Sequence, residues 1–208
     1  MSKLPRSFYT GGDVTNIARA LLGKFLVTRS GRTMTAGIIT ETEAYAGVDD
    51  RASHAYGGRR TGRNEVMYGQ GGFAYVYLCY GIHHLFNVVT NAEDVPHAVL
   101  IRAIHPIAGI RTMERRRDRA PLTTGGPGTL SQALGISTAH NGTDLLGNTI
   151  WIEDRGLIVP RRSILTGPRI GVGYAGSDAL LPYRFRIDPR NFAAWNDDKD
   201  RRDHARIR

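Results

Sequence analysis

The chain has 208 residues, 41% hydrophobic and 23% charged, an ordinary balance for a globular protein long enough to bury one substantial core. Its 28 Lys and Arg against 19 Asp and Glu leave a formal net charge of +9, an excess that points to a polyanionic partner, nucleic acid or an anionic membrane surface. A merely soluble basic protein has the same balance. No apolar run approaches the roughly 18 residues of a bilayer span. The stretch MSKLPRSFYTGG lacks the apolar centre of a signal peptide. Both observations predict an intracellular, cytoplasmic protein, and the single Cys79 can form neither an internal disulfide nor a cysteine zinc site.

In chain order, DVTNIARALL (13–22) spaces Val14, Ile17, Leu21 and Leu22 along one face and predicts a first helix, with Asp13 available as its cap. Two strands follow, at 24–30 and 33–47, with turn residues Ser30 and Gly31 between them, a predicted hairpin. The polar, Gly- and Arg-rich stretch from Gly47 to Gly72 is too long for a simple connector, and loops of that length are commonly functional. GGFAYVYLCYGIHHLFNVVT (71–90) predicts a second hairpin about Tyr80-Gly81.

HAVLIRAIHP (97–106) is a predicted strand stopped by Pro106. IAGIRTMERRRDR (107–119) is a predicted helix with Ile107, Ile110 and Met113 inward and a basic face outward. TTGGPGTLSQALGIS predicts a glycine-rich loop running into a short helix capped by Thr129. TIWIED, GLIVP, GPRIGVGY and YRFRID predict short strands, and the charged segment at about 195–208 predicts a mobile tail. With no repeat and no βαβ rhythm, the expected fold is a single α+β domain over 1–208. It has a curved, mainly antiparallel sheet surrounded by helices, with a protruding β-hairpin.

Alternation along an ideal strand places Ile39, Glu41, Glu43 and Tyr45 on one face of TAGIITETEAY. Glu43 and Tyr45 are then about 7 Å apart, with a carboxylate at the edge of anything stacked on the tyrosine ring. Such a carboxylate can accept a proton from an attacking water and stabilise an oxocarbenium-like sugar, and partial burial would raise its pKa. The same spacing also describes a solvated polar strand face. Glu41 and Glu43 lie near the separation of about 5–5.5 Å used by retaining glycosidases, so that reaction stays open.

His54 is a candidate wall of an aromatic slot, although a loop histidine is also commonly just solvated. No histidine pair at i, i+4 is joined by a third ligand, and no metal site or cofactor is expected. Tyr75 and Tyr77 share one face of their strand and Tyr80 takes the other. A tyrosine exposed near a hairpin tip can fill the hole left by an extruded nucleotide, whereas a buried one is an ordinary cross-strand pair. GGRRTGRN, RTMERRRDR and the helix start after GGPGT are candidate phosphate contacts. The glycine-rich loop does not match a P-loop.

Taken in order, ETEAY, the histidine nine residues on, GGRRTGRN, YVYLCYGIHHLFNVV, AVLIRAIHP, GPGTLSQALGI and GPRIGVGYAG closely resemble the methylpurine (alkyladenine, 3-methyladenine) DNA glycosylase family, over about residues 5–188. The resemblance implies a monomeric, metal-independent and cofactor-free enzyme acting on double-stranded DNA. It flips out alkylated or deaminated purines (3-methyladenine, 7-methylguanine, hypoxanthine, ethenoadenine) and hydrolyses the N-glycosidic bond without a lyase step. By that likeness Glu43 is the base that activates water, while Arg102 and the backbone carbonyl of Ile170 help hold the water. Tyr45, His54 and Tyr80 enclose the base, Asn87 discourages guanine, and Tyr77 inserts into the duplex. Arg59, Arg60 and Arg63 contact the DNA backbone. Ile82 stands where vertebrate members carry methionine, and is expected to wedge against neighbouring bases. A cationic purine is already weakly bonded to its sugar, so hypoxanthine is the weaker expectation. Two other classes remain: a non-catalytic nucleic-acid-binding module, and a carbohydrate hydrolase using Glu41 and Glu43.

Overall fold

The computed structural model describes residues 2–118 and 120–190; the expected mobile tail lies outside them. In chain order the strands are β1 (Ser2–Lys3), β2 (Phe25–Ser30), β3 (Thr33–Tyr45), β4 (Ala74–Cys79), β5 (His83–Thr90), β6 (His97–Ala108), β7 (Ile150–Asp154), β8 (Ile164–Gly167) and β9 (Arg184–Ile187). The helices are α1 (Arg6–Tyr9), α2 (Val14–Leu21), α3 (Ile110–Arg117) and α4 (Pro127–Leu134). The strands form one antiparallel, curled sheet in the order β1-β7-β2-β3-β6-β5-β4, with β9 on β3 and β8 on β9. This is the expected α+β architecture.

The long strand β3 organises the sheet. Its first half pairs with β2 and its residues 41–43 pair with β9, while β6 runs along the opposite edge. On that edge the register skips Thr40 of β3 and then Arg102 of β6. Bulges of this kind bend a strand and re-aim its side chains. The ideal alternation therefore fails at Thr40: Ile39 joins the main core together with Ala44, and Thr42 Oγ1 donates to the Ala18 carbonyl at 2.9 Å. Only Glu41, Glu43 and Tyr45 keep to the other side.

Helix α2 forms as predicted. Asp13 accepts from the amides of Thr15 and Asn16, and Val14, Ile17, Ala18 and Leu21 are buried. Strand β6 runs two residues past Pro106, because beyond Leu100 it has no partner in β5 and a missing N–H on a one-sided strand is tolerated. Ile107 thus lies in the strand, α3 begins only after a left-handed Gly109, Ile110 is 44% exposed, and Met113 alone of the three is fully buried. α4 starts earlier than expected. Gly126 is its N-cap, Pro127 opens it, and Thr129 sits in the first turn with its hydroxyl accepting the Gly126 amide at 3.1 Å.

GLIVP and GPRIGVGY are not strands. Gly171 takes a left-handed φ of 77°, and the second segment spends its polar groups on side chains described below. β8 was not expected; it ends at Gly167, the first residue of GPRIGVGY. Among the described residues no helix is long and apolar enough to cross a membrane.

Candidate active site

Glu43 is fully buried and receives three donors. Its Oε1 accepts the Ile170 amide at 2.8 Å, and its Oε2 accepts the Tyr45 hydroxyl at 2.9 Å and Arg102 Nη1 at 3.3 Å. The two bulges bring Arg102 across to β3, where its Nε also donates to Glu41 Oε1 at 3.0 Å. Arg184 Nε, from β9, reaches that same oxygen at 2.6 Å. Burial raises the Glu43 pKa; Arg102, the Ile170 amide and the Tyr45 hydroxyl oppose the rise, and Glu41 adds to it. One carboxylate is thus clamped by two guanidiniums, while its neighbour is desolvated and held mainly by neutral donors.

Tyr45, Arg102 and Ile170 line a cavity of about 630 Å³, and Glu43 lies one layer behind them. The opposite wall comes from β4 and the 47–72 loop. Tyr75 and Tyr77 share a face with ring centroids 5.3 Å apart, and the His54 ring meets Tyr77 edge-on at 4.6 Å. His54 Nδ1 is 2.8 Å from the Tyr75 hydroxyl. Burial pushes the Tyr75 pKa up to about 12, and the positive charge of nearby Arg63 opposes the rise. Burial, with Arg63 and Arg59 nearby, also lowers the His54 pKa and favours the neutral ring. Asn87 is buried in the wall, its Nδ2 donating to the Tyr75 and Leu85 carbonyls at 3.1 and 3.3 Å, so Oδ1 is the atom left for the cavity.

The two hairpin tyrosines are placed the other way round from the expectation. Tyr77 was expected to project from the hairpin, yet it is half-buried in the wall against His54 and Tyr75. Tyr80, expected to enclose a base, stands 90% exposed at the cavity rim on the hairpin turn, beside Ile82 at 71%. The reason is the turn itself. Tyr80 and Gly81 both adopt positive φ, 50° and 74°, and the Ile82 amide closes on the Cys79 carbonyl at 3.2 Å. A tight hairpin demands left-handed residues at its centre, at a cost of roughly 1–2 kcal/mol for a non-glycine residue.

The loop arginines also separate. Arg60 is tied to Glu65 and Asp94 at 2.7 and 2.8 Å and lies over the Tyr68 ring, so its charge is already matched. Arg63 lies over Tyr77 and lines the cavity, while Arg59 is exposed. Ile170 faces Glu43 with its amide; its expected contribution was its carbonyl. Among the described residues no group of three or more His, Cys, Asp or Glu could hold a metal ion.

A family model described as methylpurine-DNA glycosylase matches residues 7–191. The chain belongs to this family. It is a DNA glycosylase, a hydrolase of DNA repair. Relatives provisionally named 3-methyladenine DNA glycosylase include one from Chlamydia felis, 47% identical over 189 residues, covering 89% of this chain and 96% of the relative. Another, from Anaeromyxobacter dehalogenans, is 50% identical over 186 residues, covering 89% and 83%. A third, from Bacillus cereus, is 42% identical over 201 residues, covering 91% and 98%.

Sequence reasoning about this glycosylase missed Arg184, Tyr75 in its contact with His54, and the buried pair Asp50–Arg169. The shared face of Tyr75 and Tyr77 was a usable signal for the second. Arg184 and Arg169 lie far along the chain from their carboxylate partners, and nothing in local spacing joins them.

Proposed function

We propose that this glycosylase excises alkylated purines, 3-methyladenine and 7-methylguanine foremost, from duplex DNA as a monomer, and leaves an abasic site without a lyase step. The observation that carries the reading is a fully buried carboxylate whose three donors front an aromatic cavity. An extruded purine lies between Tyr45 on one side and His54 and Tyr77 on the other. Their electron-rich faces favour a cationic base. A water admitted beside Arg102 and Tyr45 gives its proton to Glu43 and attacks C1′ as the purine leaves. The glycosidic electron pair neutralises the ring of a cationic lesion, so no acid is required. Hypoxanthine and ethenoadenine are neutral and need a proton donor. The His54 ring in the cavity lining is a candidate donor, and the need for that proton makes them slower substrates.

The roles of the hairpin tyrosines follow their placement: Tyr77 stacks on the flipped base, and Tyr80 with Ile82 fills the gap in the duplex. Arg59 and Arg63 carry phosphate contacts. The carbohydrate-hydrolase alternative needs Glu41 as its second carboxylate, yet Glu41 Oε1 is clamped by the two guanidiniums of Arg102 and Arg184, whereas Glu43 is held mainly by neutral donors.

The test is single-turnover base release in EDTA from methylated duplex DNA and from duplexes with one ethenoadenine or hypoxanthine, for wild type and Glu43→Gln. Release by wild type alone, fastest from methylated purines, is expected. Release by Glu43→Gln at the wild-type rate would leave Glu43 without a part in the chemistry.

A further inference from the structure

Outside the cavity lining, Asp50 and Arg169 form an ion pair whose side chains are 1% and 0% exposed. Both guanidinium Nη atoms engage the carboxylate, Nη1 on Oδ2 and Nη2 on Oδ1 at 2.8 Å. Nη1 also donates to the Ala44 carbonyl at 3.0 Å and Nη2 to the Asp178 carbonyl at 3.1 Å. Asp50 in turn accepts the amides of Ala46 and Ala52 at 2.9 and 3.0 Å. Three separate segments meet here: the end of β3, the turn after it, and the loop from Gly167 to Asp178. The guanidinium also lies 4.9 Å from the Tyr45 ring centroid and 5.2 Å from that of Tyr183.

A fully buried ion pair seldom adds net stability over an apolar replacement, since desolvating two charges costs several kcal/mol per ion. What this pair fixes is geometry. Arg169 immediately precedes the residue whose amide donates to Glu43 Oε1 at 2.8 Å, and it lies over the ring whose hydroxyl donates to Glu43 Oε2 at 2.9 Å. Two of the three donors to Glu43 therefore hang from one guanidinium.

We propose that Arg169 and Asp50 are positioning residues for the base: their bidentate pair holds the Ile170 amide and the Tyr45 ring against Glu43. The inference rests on reading Glu43 as that base. The charged and titratable groups facing Glu43 are Arg102 from β6, Glu41 and Tyr45 from β3 and Arg169 from the loop, with Arg184 of β9 opposite it in register. Donors to a carboxylate favour its ionised form. Loosening two of them moves Glu43 toward the neutral acid, without removing any group that touches substrate.

The experiment measures single-turnover release of methylated purines from methylated duplex DNA across pH for wild type, Arg169→Lys, Asp50→Asn, Ile170→Pro and the double variant Arg169→Lys/Ile170→Pro. Affinity for lesion DNA and melting temperature are measured alongside, with Glu43→Gln as control. Lysine keeps the charge and loses the two-pronged fit. The expected result is a rate loss of about 10- to 100-fold, an acid limb displaced to higher pH, little change in lesion affinity, and a double variant no slower than Ile170→Pro. An acid limb left in place while the melting temperature falls, or losses that multiply in the double variant, would overturn the proposal. If Arg169→Lys does not fold, Ile170→Pro alone decides: an unmoved acid limb refutes the role of the amide. An active Glu43→Gln removes the base itself and the inference with it, a failure distinct from the others.

Discussion

The two walls of the cavity are built on different principles. The carboxylate wall is held by charged and backbone hydrogen bonds among buried groups: Glu43 with Arg102, Tyr45 and the Ile170 amide, supported by Asp50–Arg169. The aromatic wall is held mainly by ring packing, joined by the Tyr75–His54 contact and the Asn87 bonds to backbone carbonyls, and it ends in a hairpin turn exposed to solvent. A carboxylate that must take a proton needs fixed geometry and a tuned pKa, and charged bonds in a desolvated site supply both. A surface that must receive a flat base needs area and polarisability, which rings supply with few directional constraints. Disturbing the first wall should change chemistry, and disturbing the second should change recognition.

The largest expected effect is therefore Glu43→Gln, with a loss of roughly 10²–10⁴ in single-turnover rate, the usual contribution of a general base, while lesion binding persists. Loss of lesion binding in step with rate would blur the two walls. In wild type, pH divides the walls without mutation. In the proposed mechanism Glu43 works as the carboxylate, and burial raises its folded pKa, so activity should fall as pH drops through a value above the usual carboxylate range. The linkage to folding has the opposite sign. A carboxyl with a raised folded pKa contributes stability at low pH that is lost as pH rises through that pKa. At this residue activity and stability oppose each other, and a rate profile beside a melting profile over the same pH range checks both signs.

On the aromatic wall, Tyr80→Ala should weaken flipping by on the order of a few kcal/mol, the scale of unstacking. Tyr77→Ala should cost about 1–3 kcal/mol of base stacking. The two separate by readout. Tyr80→Ala should reduce the population of extruded base, measured by fluorescence of a base analogue opposite or beside the lesion. Tyr77→Ala should reduce discrimination in favour of cationic purines. If Tyr77→Ala lowered extrusion while Tyr80→Ala left it intact, the roles would revert to those the sequence resemblance assigned.

That exchange of tyrosines shows where sequence was legible and where it was not. The antiparallel α+β class, the β3 carboxylates and the 47–72 loop could be read because they rest on composition, alternation and loop length. Alternation failed at Thr40 and Arg102, where two bulges shift the register; these bulges put Arg102 between Glu41 and Glu43, and no local pattern announces a bulge. Tyr77 and Tyr80 are three residues apart in one motif, and their fates depend on which of them enters the left-handed turn. Tyr80-Gly81 was recognised as that turn, but its effect on side-chain exposure was not drawn from the sequence. The strands assigned to GLIVP and GPRIGVGY failed for another reason: apolar content resembled a strand, whereas neither segment pairs in the sheet beyond Gly167, and in the second the Ile170 amide goes to the Glu43 carboxylate.

The smallest expected effects lie outside both walls, in the arginines of the loop. Phosphate contacts release counterions, so each one lost should flatten the salt dependence of DNA affinity by about 0.9 in log–log slope on duplex DNA. Arg59 is exposed, and replacing it by Ala should lower the slope by close to that amount while leaving single-turnover chemistry nearly unchanged; Arg63 lines the cavity over Tyr77, and its replacement should lower both the slope and the rate. Arg60 is already matched by Glu65 and Asp94. Its replacement should change the slope by much less, and Glu65→Gln should instead steepen it by freeing the guanidinium for phosphate. Equal slope losses for all three arginines in a salt titration would mean that the Glu65 and Asp94 contacts give way when DNA binds.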